Sequence, residues 1–355
     1  MTATSDRQRV VVAMSGGVDS SAAAALLLEQ GYEVLGITLR VWSYEGPARC
    51  GSCCSPDDVD DARAVAGKLG IPFYVANSEE LFSKQVVQPF VREYLSGRTP
   101  IPCVACNRDV KFGFLLARAR ALGARLATGH YARVVEEGGR RRVHCAVDDA
   151  KDQTYFLFNL SQDDLQDVLF PVGGMTKAEV REVARRHGLP TASKAESQEI
   201  CFVPDGKYAN FIEKVAGPQP QGDIADEAGT VLGRHAGVHR YTVGQRSGLG
   251  ITTAVPHYVQ RIDAAANRVV VGPKEGLFST RFRVPAVSWI SGEPPVEPLE
   301  VEVKVRHRST RLKATVRASG AGAEVELQDA ARAVTPGQAA VFYRGQELLG
   351  GGFIG

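Results

Sequence analysis

The sequence predicts an α/β protein: an N-terminal doubly wound parallel sheet, then a small β-rich middle domain, then a C-terminal β-barrel-like domain. Two observations carry this. From residue 9 to about residue 188, short apolar runs alternate with helix-forming stretches that stop at glycine. Beyond Cys201, glycine, proline and β-branched residues rise and the apolar runs shorten. A chain of 355 residues is long for one unit, and the change of texture suggests boundaries at 1–204, 205–275 and 276–355.

Each element follows from its residues. Arg9-Val10-Val11-Val12-Ala13 reads as a strand buried on both faces, and residues 22–28, four alanines and three leucines, as a helix. Residues 33–39 are a second strand, 57–69 an amphipathic helix ended by Gly70, and 72–76 a third strand. Residues 79–95 are helical, with a break expected near Pro89. Residues 111–122 form a helix closed by Gly123, and 125–130 a strand running into Gly129. Thr176-Lys177-Ala178-Glu179 is a capping box opening a helix that runs to His187 and stops at Gly188. Arg268-Val269-Val270-Val271-Gly272 and Val301-Glu302-Val303-Lys304-Val305 are strands of the later units, which Pro218, Pro220, Pro294, Pro295 and Pro298 punctuate. The turns after Met14, Leu39 and Thr128 are then expected on one rim, at the carboxyl ends of parallel strands, where such sheets bind ligands.

Composition narrows the class. A net charge of +2 gives no global field selecting a polyanion, so nucleic-acid binding would rest on local patches. No apolar stretch is long enough to span a bilayer, and the short polar opening carries no signal pattern. A cytoplasmic protein is expected, a monomer by default. Seven cysteines, an odd number, argue against a fully paired disulfide framework and for thiols with chemistry. Cys50-Gly51-Ser52-Cys53-Cys54 reads either as a variable loop or as a zinc site lacking a fourth ligand.

The strongest chemical signal is Met14-Ser15-Gly16-Gly17-Val18-Asp19-Ser20-Ser21, set between a strand and a helix. Glycines there let backbone N–H groups approach a phosphate, and the helix dipole favours an anion. Ser15, Ser20 and Ser21 add hydroxyls, and Asp19 is suited to hold Mg²⁺. No Lys-Ser/Thr follows a second spaced glycine, and the glycines are adjacent, so this is neither a Walker loop nor a dinucleotide fingerprint. It resembles the pyrophosphatase loop of enzymes that cut ATP between its α and β phosphates and adenylate a substrate. Ala13 to Ser20 are the candidate ATP contacts.

The cysteines are the second signal. Pro102-Cys103-Val104-Ala105-Cys106-Asn107 reads as a loop ahead of a helix at Lys111, a setting that with Arg108 and Lys111 favours the thiolate. Cys201 lies far off, in Ile200-Cys201-Phe202, while Cys145 reads as a small buried hydrophobe.

Together these residues resemble the bacterial tRNA-specific 2-thiouridylases (the MnmA/TrmU family) over nearly the whole chain. Matching motifs include Ser15 to Ser20, Cys106-Asn107 with Lys111-Phe112, Ala127-Thr128-Gly129-His130-Tyr131 and Lys151-Asp152-Gln153-Thr154-Tyr155-Phe156-Leu157. Ile200-Cys201-Phe202, Thr242-Val243-Gly244-Gln245-Arg246 with Gly248-Leu249-Gly250, and Thr335-Pro336-Gly337-Gln338 match further. The resemblance implies an ATP pyrophosphatase fold and 2-thiolation of a tRNA wobble uridine. ATP adenylates the C2 oxygen, and sulfur then displaces AMP. It implies that Cys201 carries a persulfide, that Cys106 is its nucleophilic partner, and that a disulfide between them closes the cycle. Leu39 and Gly129 are implied ATP contacts; Ile101, Pro102, Cys103, His130, Lys151, Asp152, Gln153, Arg306, His307 and Gln338 are implied tRNA contacts. The sulfur source is a cysteine desulfurase, a relay protein or sulfide.

One departure opens a second route. Many members carry Asp where this chain has Cys103. Cys103, Cys106 and Cys201 are then three thiolates able to hold a 4Fe–4S cluster with one iron open to sulfide. The persulfide and cluster routes stand side by side at this point. In the last unit, Val301, Val303 and Val305 alternate with Lys304, Arg306 and Arg308, followed by Arg311 and Lys313, which predicts a basic face able to track phosphates. Two rivals remain: another adenylating enzyme, which gives Cys106 and Cys201 no role, and a non-catalytic metal or redox module binding RNA through its β domains, which leaves the ATP loop unused.

Overall fold

A computed structural model describes residues 8–42, 56–196, 200–203, 205–252 and 255–355. Cys50, Cys53 and Cys54, with the zinc reading attached to them, lie outside these residues.

The first unit is built on a parallel sheet of β1 (Arg9–Ala13), β2 (Glu33–Arg40), β3 (Phe73–Asn77), β4 (Arg125–Thr128) and β7 (Val168–Leu169), in the order β3-β2-β1-β4-β7. Alternation along β1 shows why helices cover both faces. Val10 and Val12 enter one apolar cluster with the helices Val18–Glu29, Pro56–Leu69 and Lys177–Arg186. Val11 enters another, with Phe82, Phe90, Val104, Val110 and Leu115. Strand order reverses at β1, between β2 and β4, which places the switch-point crevice at the end of β1.

Two helical stretches differ from expectation. Residues 79–95 do not break at Pro89. The helix widens to a π turn over Ser83–Val87 and resumes as Gln88–Leu95, with helical backbone angles at the junction. A π turn re-pairs carbonyls that proline cannot serve. The Cys103–Cys106 stretch is helix, not loop. It starts at Pro102, runs as Pro102–Ala105 and Cys106–Leu115 and ends as Leu116–Ala121, the middle part π-helical. The first turn therefore holds Cys103, and Cys106 lies one turn further on.

The middle unit is a sheet of β8 (Gly222–Ala225), β9 (Val231–His235), β10 (Tyr258–Asp263) and β11 (Arg268–Gly272), ordered β10-β11-β8-β9. A helix, Tyr208–Ala216, precedes it where only β texture was expected. The last unit contains β12 (Phe278–Val284), β13 (Ser288–Trp289), β14 (Leu299–Lys304), β15 (Leu312–Ser319), β16 (Gly322–Arg332), β17 (Ala339–Arg344) and β18 (Glu347–Phe353). Its sheet also takes in β5 (Ala132–Glu137) and β6 (Arg140–Cys145), a hairpin from the first unit. β6 pairs with β18 through His144 to Glu347 and Val143 to Leu348. One apolar cluster accordingly joins Val143, Tyr155 and Phe158 to Val341, Tyr343 and Leu348.

Candidate active site

The loop after β1 is held by its own serines. Ser15 N donates to Ser20 Oγ at 3.1 Å, and Ser20 Oγ and Ser21 Oγ donate to Gly17 O at 3.1 and 2.8 Å. Ala13 ends β1, and Met14, buried, donates its N–H to Ile37 O at 2.9 Å, while Thr38 Oγ1 donates to Met14 O at 2.7 Å. Gly16 sits at φ 70°, and a Cβ there would meet Asp58 O at 2.2 Å. Gly17 is the N-cap of Val18–Glu29, and no side chain caps the first N–H groups of that helix. An uncapped N-terminus in a Gly-Ser loop is a ready anion site.

Neighbouring strands complete the rim. Leu39 lies near the end of β2, and Gly129 follows β4, close enough to the helix start that a Cβ would meet Ser20 N at 2.6 Å. Asp19, in the first turn, accepts on Oδ1 from Tyr131 Oη at 2.9 Å and from Lys177 Nζ at 2.7 Å. Burial first, and the Asp19 charge second, push the Tyr131 phenol far up, so it stays a donor. Lys177 also pairs with Glu196 at 2.7 Å, and Lys151 reaches Glu196 at 2.6 Å. Burial raises the Glu196 carboxyl, but the hydrogen bonds and charges of Lys151 and Lys177 outweigh it and bring it down to about 2. Lys194 Nζ donates to Gly16 O at 3.0 Å and to Asp58 at 2.6 Å, fixing the loop to the next helix.

His130 links the rim to the cysteine helix. Its Nδ1 lies 2.7 Å from Thr128 Oγ1, and its Nε2 lies 3.5 Å from Lys111 Nζ, on the stretch that starts at Cys106. Burial first, and the Lys111 charge second, push the imidazole well below its ordinary value. A neutral ring facing an ammonium with Nε2 is assigned the Nδ1–H tautomer, which donates to Thr128. Cys106 and Cys201 are half-buried against the same apolar cluster, whereas Cys103 is exposed. Among the described residues no group of three His, Cys, Asp or Glu side chains is disposed to hold a metal ion, and a 4Fe–4S cluster on Cys103, Cys106 and Cys201 is not supported. Cys103, in the first turn of the helix, is exposed, while Cys106 packs against the apolar cluster.

The remaining candidates fall along the seam between the first and last units. Gln153 Oε1 accepts from Tyr131 N at 3.0 Å, and Asp152 accepts from Ala146 N and Thr154 Oγ1 at 3.0 and 2.6 Å. The His307 ring lies 4.5 Å from that of Phe156, beside Asp152. Ile101 is the N-cap and Pro102 the first residue of the cysteine helix, and Gln338 Nε2 donates to Thr99 O at 2.9 Å. The basic face is narrower than alternation suggests. Arg306 Nη2 donates to Val243 O, Ala333 O and Thr335 Oγ1, and Arg311 stacks on Tyr343 at 4.0 Å and reaches Cys145 Sγ at 2.9 Å. Arg308 and Lys313 are the exposed members. Sequence reading missed Lys177, Glu196 and Lys194. The capping box that opens at Thr176 pointed to Lys177 at a helix start; nothing local marked the other two.

Comparison with known proteins extends this picture. A family profile described as a tRNA methyl transferase HUP domain matches residues 8–205, a tRNA methyl transferase PRC-barrel domain matches 209–273, and an aminomethyltransferase β-barrel domain matches 279–354. The chain is 53% identical to the tRNA-specific 2-thiouridylase MnmA of Geobacter metallireducens, over 98% of this chain and 97% of that one. It is 51% identical to the protein of the same name from Geotalea uraniireducens, over 100% and 96% of the two chains. Identity to the Acidobacterium capsulatum protein of that name is 50%, over 97% and 98%. Among the described residues no helix is long and apolar enough to cross a membrane.

Proposed function

Because this chain belongs to the tRNA-specific 2-thiouridylase family, we propose that it uses ATP to replace the C2 oxygen of a tRNA wobble uridine with sulfur. The observation that carries this reading is the Gly129-His130 bridge. Gly129 packs on the start of the loop helix, and His130 touches the helix of Cys106. This bridge supports a reading in which phosphate chemistry and thiol chemistry work side by side.

Ala13 to Ser20, with Leu39 and Gly129, bind ATP, the loop N–H groups taking its phosphates. Asp19 fits Mg²⁺, which is commonly held by one or two carboxylates together with substrate phosphates and would supply charge neutralisation there. The uridine C2 oxygen attacks the α-phosphorus and pyrophosphate leaves. A poor leaving group, a urea-like oxygen, becomes a good one, AMP. Sulfur arrives as a persulfide on Cys201, loaded by a desulfurase or relay protein, and its outer sulfur bonds to C2. Cys106 thiolate then attacks Cys201 Sγ. The S–S electron pair moves to the sulfur on C2, AMP departs, and a Cys106–Cys201 disulfide remains for an external reductant. Ile101 to Cys103, His130, Lys151 to Gln153, Arg306, His307 and Gln338 form the tRNA seam. The base must leave its stack to reach the loop.

The test is 2-thiouridine formed in unmodified tRNA, with ATP, Mg²⁺ and a persulfide donor. The parent and Cys103→Ala are expected to thiolate; Cys106→Ala and Cys201→Ala are not. Loss of both product and bound iron in Cys103→Ala, prepared anaerobically, would overturn the persulfide route.

A further inference from the structure

We propose that the short segment 96–101 is a junction of all three units, through which both β-rich units position the helix that carries Cys106, with Arg98 and Gln338 as positioning residues. The proposal rests on the role given above to Cys106. Gly97, at φ 78°, lies so close to the middle sheet that a Cβ would meet Ile262 Cγ2, on β10, at 2.7 Å. Arg98 Nη2 donates to Ile354 O at 2.8 Å, and its Nε pairs with Glu93 at 2.7 Å. Thr99 is gripped from both sides: its N–H donates to Pro336 O at 2.9 Å, and its carbonyl accepts from Gln338 Nε2 at 2.9 Å. Gly337, at φ 87°, closes the contact, since a Cβ there would lie 2.9 Å from Thr99 N.

The helix begins immediately after this grip. Ile101, its N-cap, is extended and offers no side-chain cap, so Pro102 fixes the first turn locally but no capping side chain ties the helix start to its surroundings. Arg306 ties the same turn to the middle unit, bonding Val243 O and Thr335 Oγ1 at 3.1 and 2.6 Å. An RNA seated on the last unit therefore acts on the cysteine helix through residues 335–338 and Thr99, by way of backbone contacts with no flexible linker between.

The experiment is site-resolved alkylation of the reduced full chain by iodoacetamide, without RNA or ATP, in Gln338→Ala and Arg98→Met. Cys106 is half-buried and Cys145 fully buried, so Cys145 labelling reports global unfolding. The expected result is Cys106 labelled about fivefold faster in each variant, the change in local opening that losing the one side-chain hydrogen bond each residue makes across the junction brings, with Cys145 protected. A residue that only touched RNA would leave this RNA-free rate alone. Unchanged Cys106 rates with Cys145 protected overturn the junction. If Cys106→Ala still thiolates, the role of Cys106 fails instead, and the labelling result stands apart from it.

Discussion

At the scale of single residues, Gly16 and His130 carry the sharpest consequences. Gly16→Ala puts a methyl group against the Asp58 carbonyl, 2.2 Å away, in a left-handed conformation. Thiolation is expected to fall by roughly two orders of magnitude, the scale set by misplacing a reacting group by an ångström, as read by 2-thiouridine formation. His130 makes stability depend on pH. Its folded value lies well below the ordinary one, so under mildly acidic conditions the unfolded chain binds a proton that the folded chain refuses. The contribution is complete above the ordinary histidine range and is lost as pH falls below it. His235, His239 and His307 are lowered by burial too and share the trend. Urea unfolding at pH 7 and pH 5 is expected to show a shallower pH slope in His130→Gln, by at most about 1.4 kcal/mol per pH unit for one group. An equal slope would mean that His130 takes up its proton when folded. Glu196 acts lower, its contribution fading as pH falls toward its own value of about 2.

Among the elements, the helix Lys177–Arg186 shows how a local signal becomes a site. Thr176 and Glu179 cap each other, with Glu179 Oε2 accepting from Thr176 N at 2.7 Å, and this sets Lys177 toward Asp19. Thr176→Ala is expected to cost about 1 kcal/mol in urea unfolding and to weaken ATP binding through Lys177. A loss of stability without any change in ATP binding would separate the cap from the site. This helix, the Ala-rich helix and strands β1, β2 and β4 were legible because period and caps are local. Two helices were not read correctly. Pro102 at a first helical position was a usable sign, hidden by reading Pro-Cys-Val-Ala-Cys as irregular. Tyr208, Phe211, Ile212 and Val215 have helical spacing and end at Gly217, but the surrounding glycines and prolines masked them. The π turns answer packing and backbone re-pairing, which leave no period in the sequence. The Asp19, Lys177 and Glu196 cluster joins residues more than 150 positions apart, a proximity only the fold supplies.

The whole molecule is less divided than its changing texture suggests. The middle sheet has a small cluster of its own around Ile224, Val259 and Val271. The last unit also keeps a core around Val303, Val316 and Phe342, but the largest cluster of the first unit runs into it through Val341, Tyr343 and Leu348, and Tyr155 Oη donates to Ala339 O at 3.0 Å across that cluster. Calorimetry is expected to show these two units melting in one transition, and a fragment of residues 1–275 to aggregate, because Val143, Tyr155 and Phe158 lose their cover. Separate transitions, or a soluble folded fragment, would contradict a shared core. The β5–β6 hairpin also bears on how the protein is made. A ribosome releases the chain from its N-terminus, yet the partner of β6 is β18, which emerges almost last. Until Leu348 has left the exit tunnel, the nucleotide-handling half carries an open strand edge and an unfinished interior, the features chaperones recognise. A chain cut short before Glu347 is then expected to leave that edge open and to aggregate when translated in vitro, whereas a soluble product would contradict this.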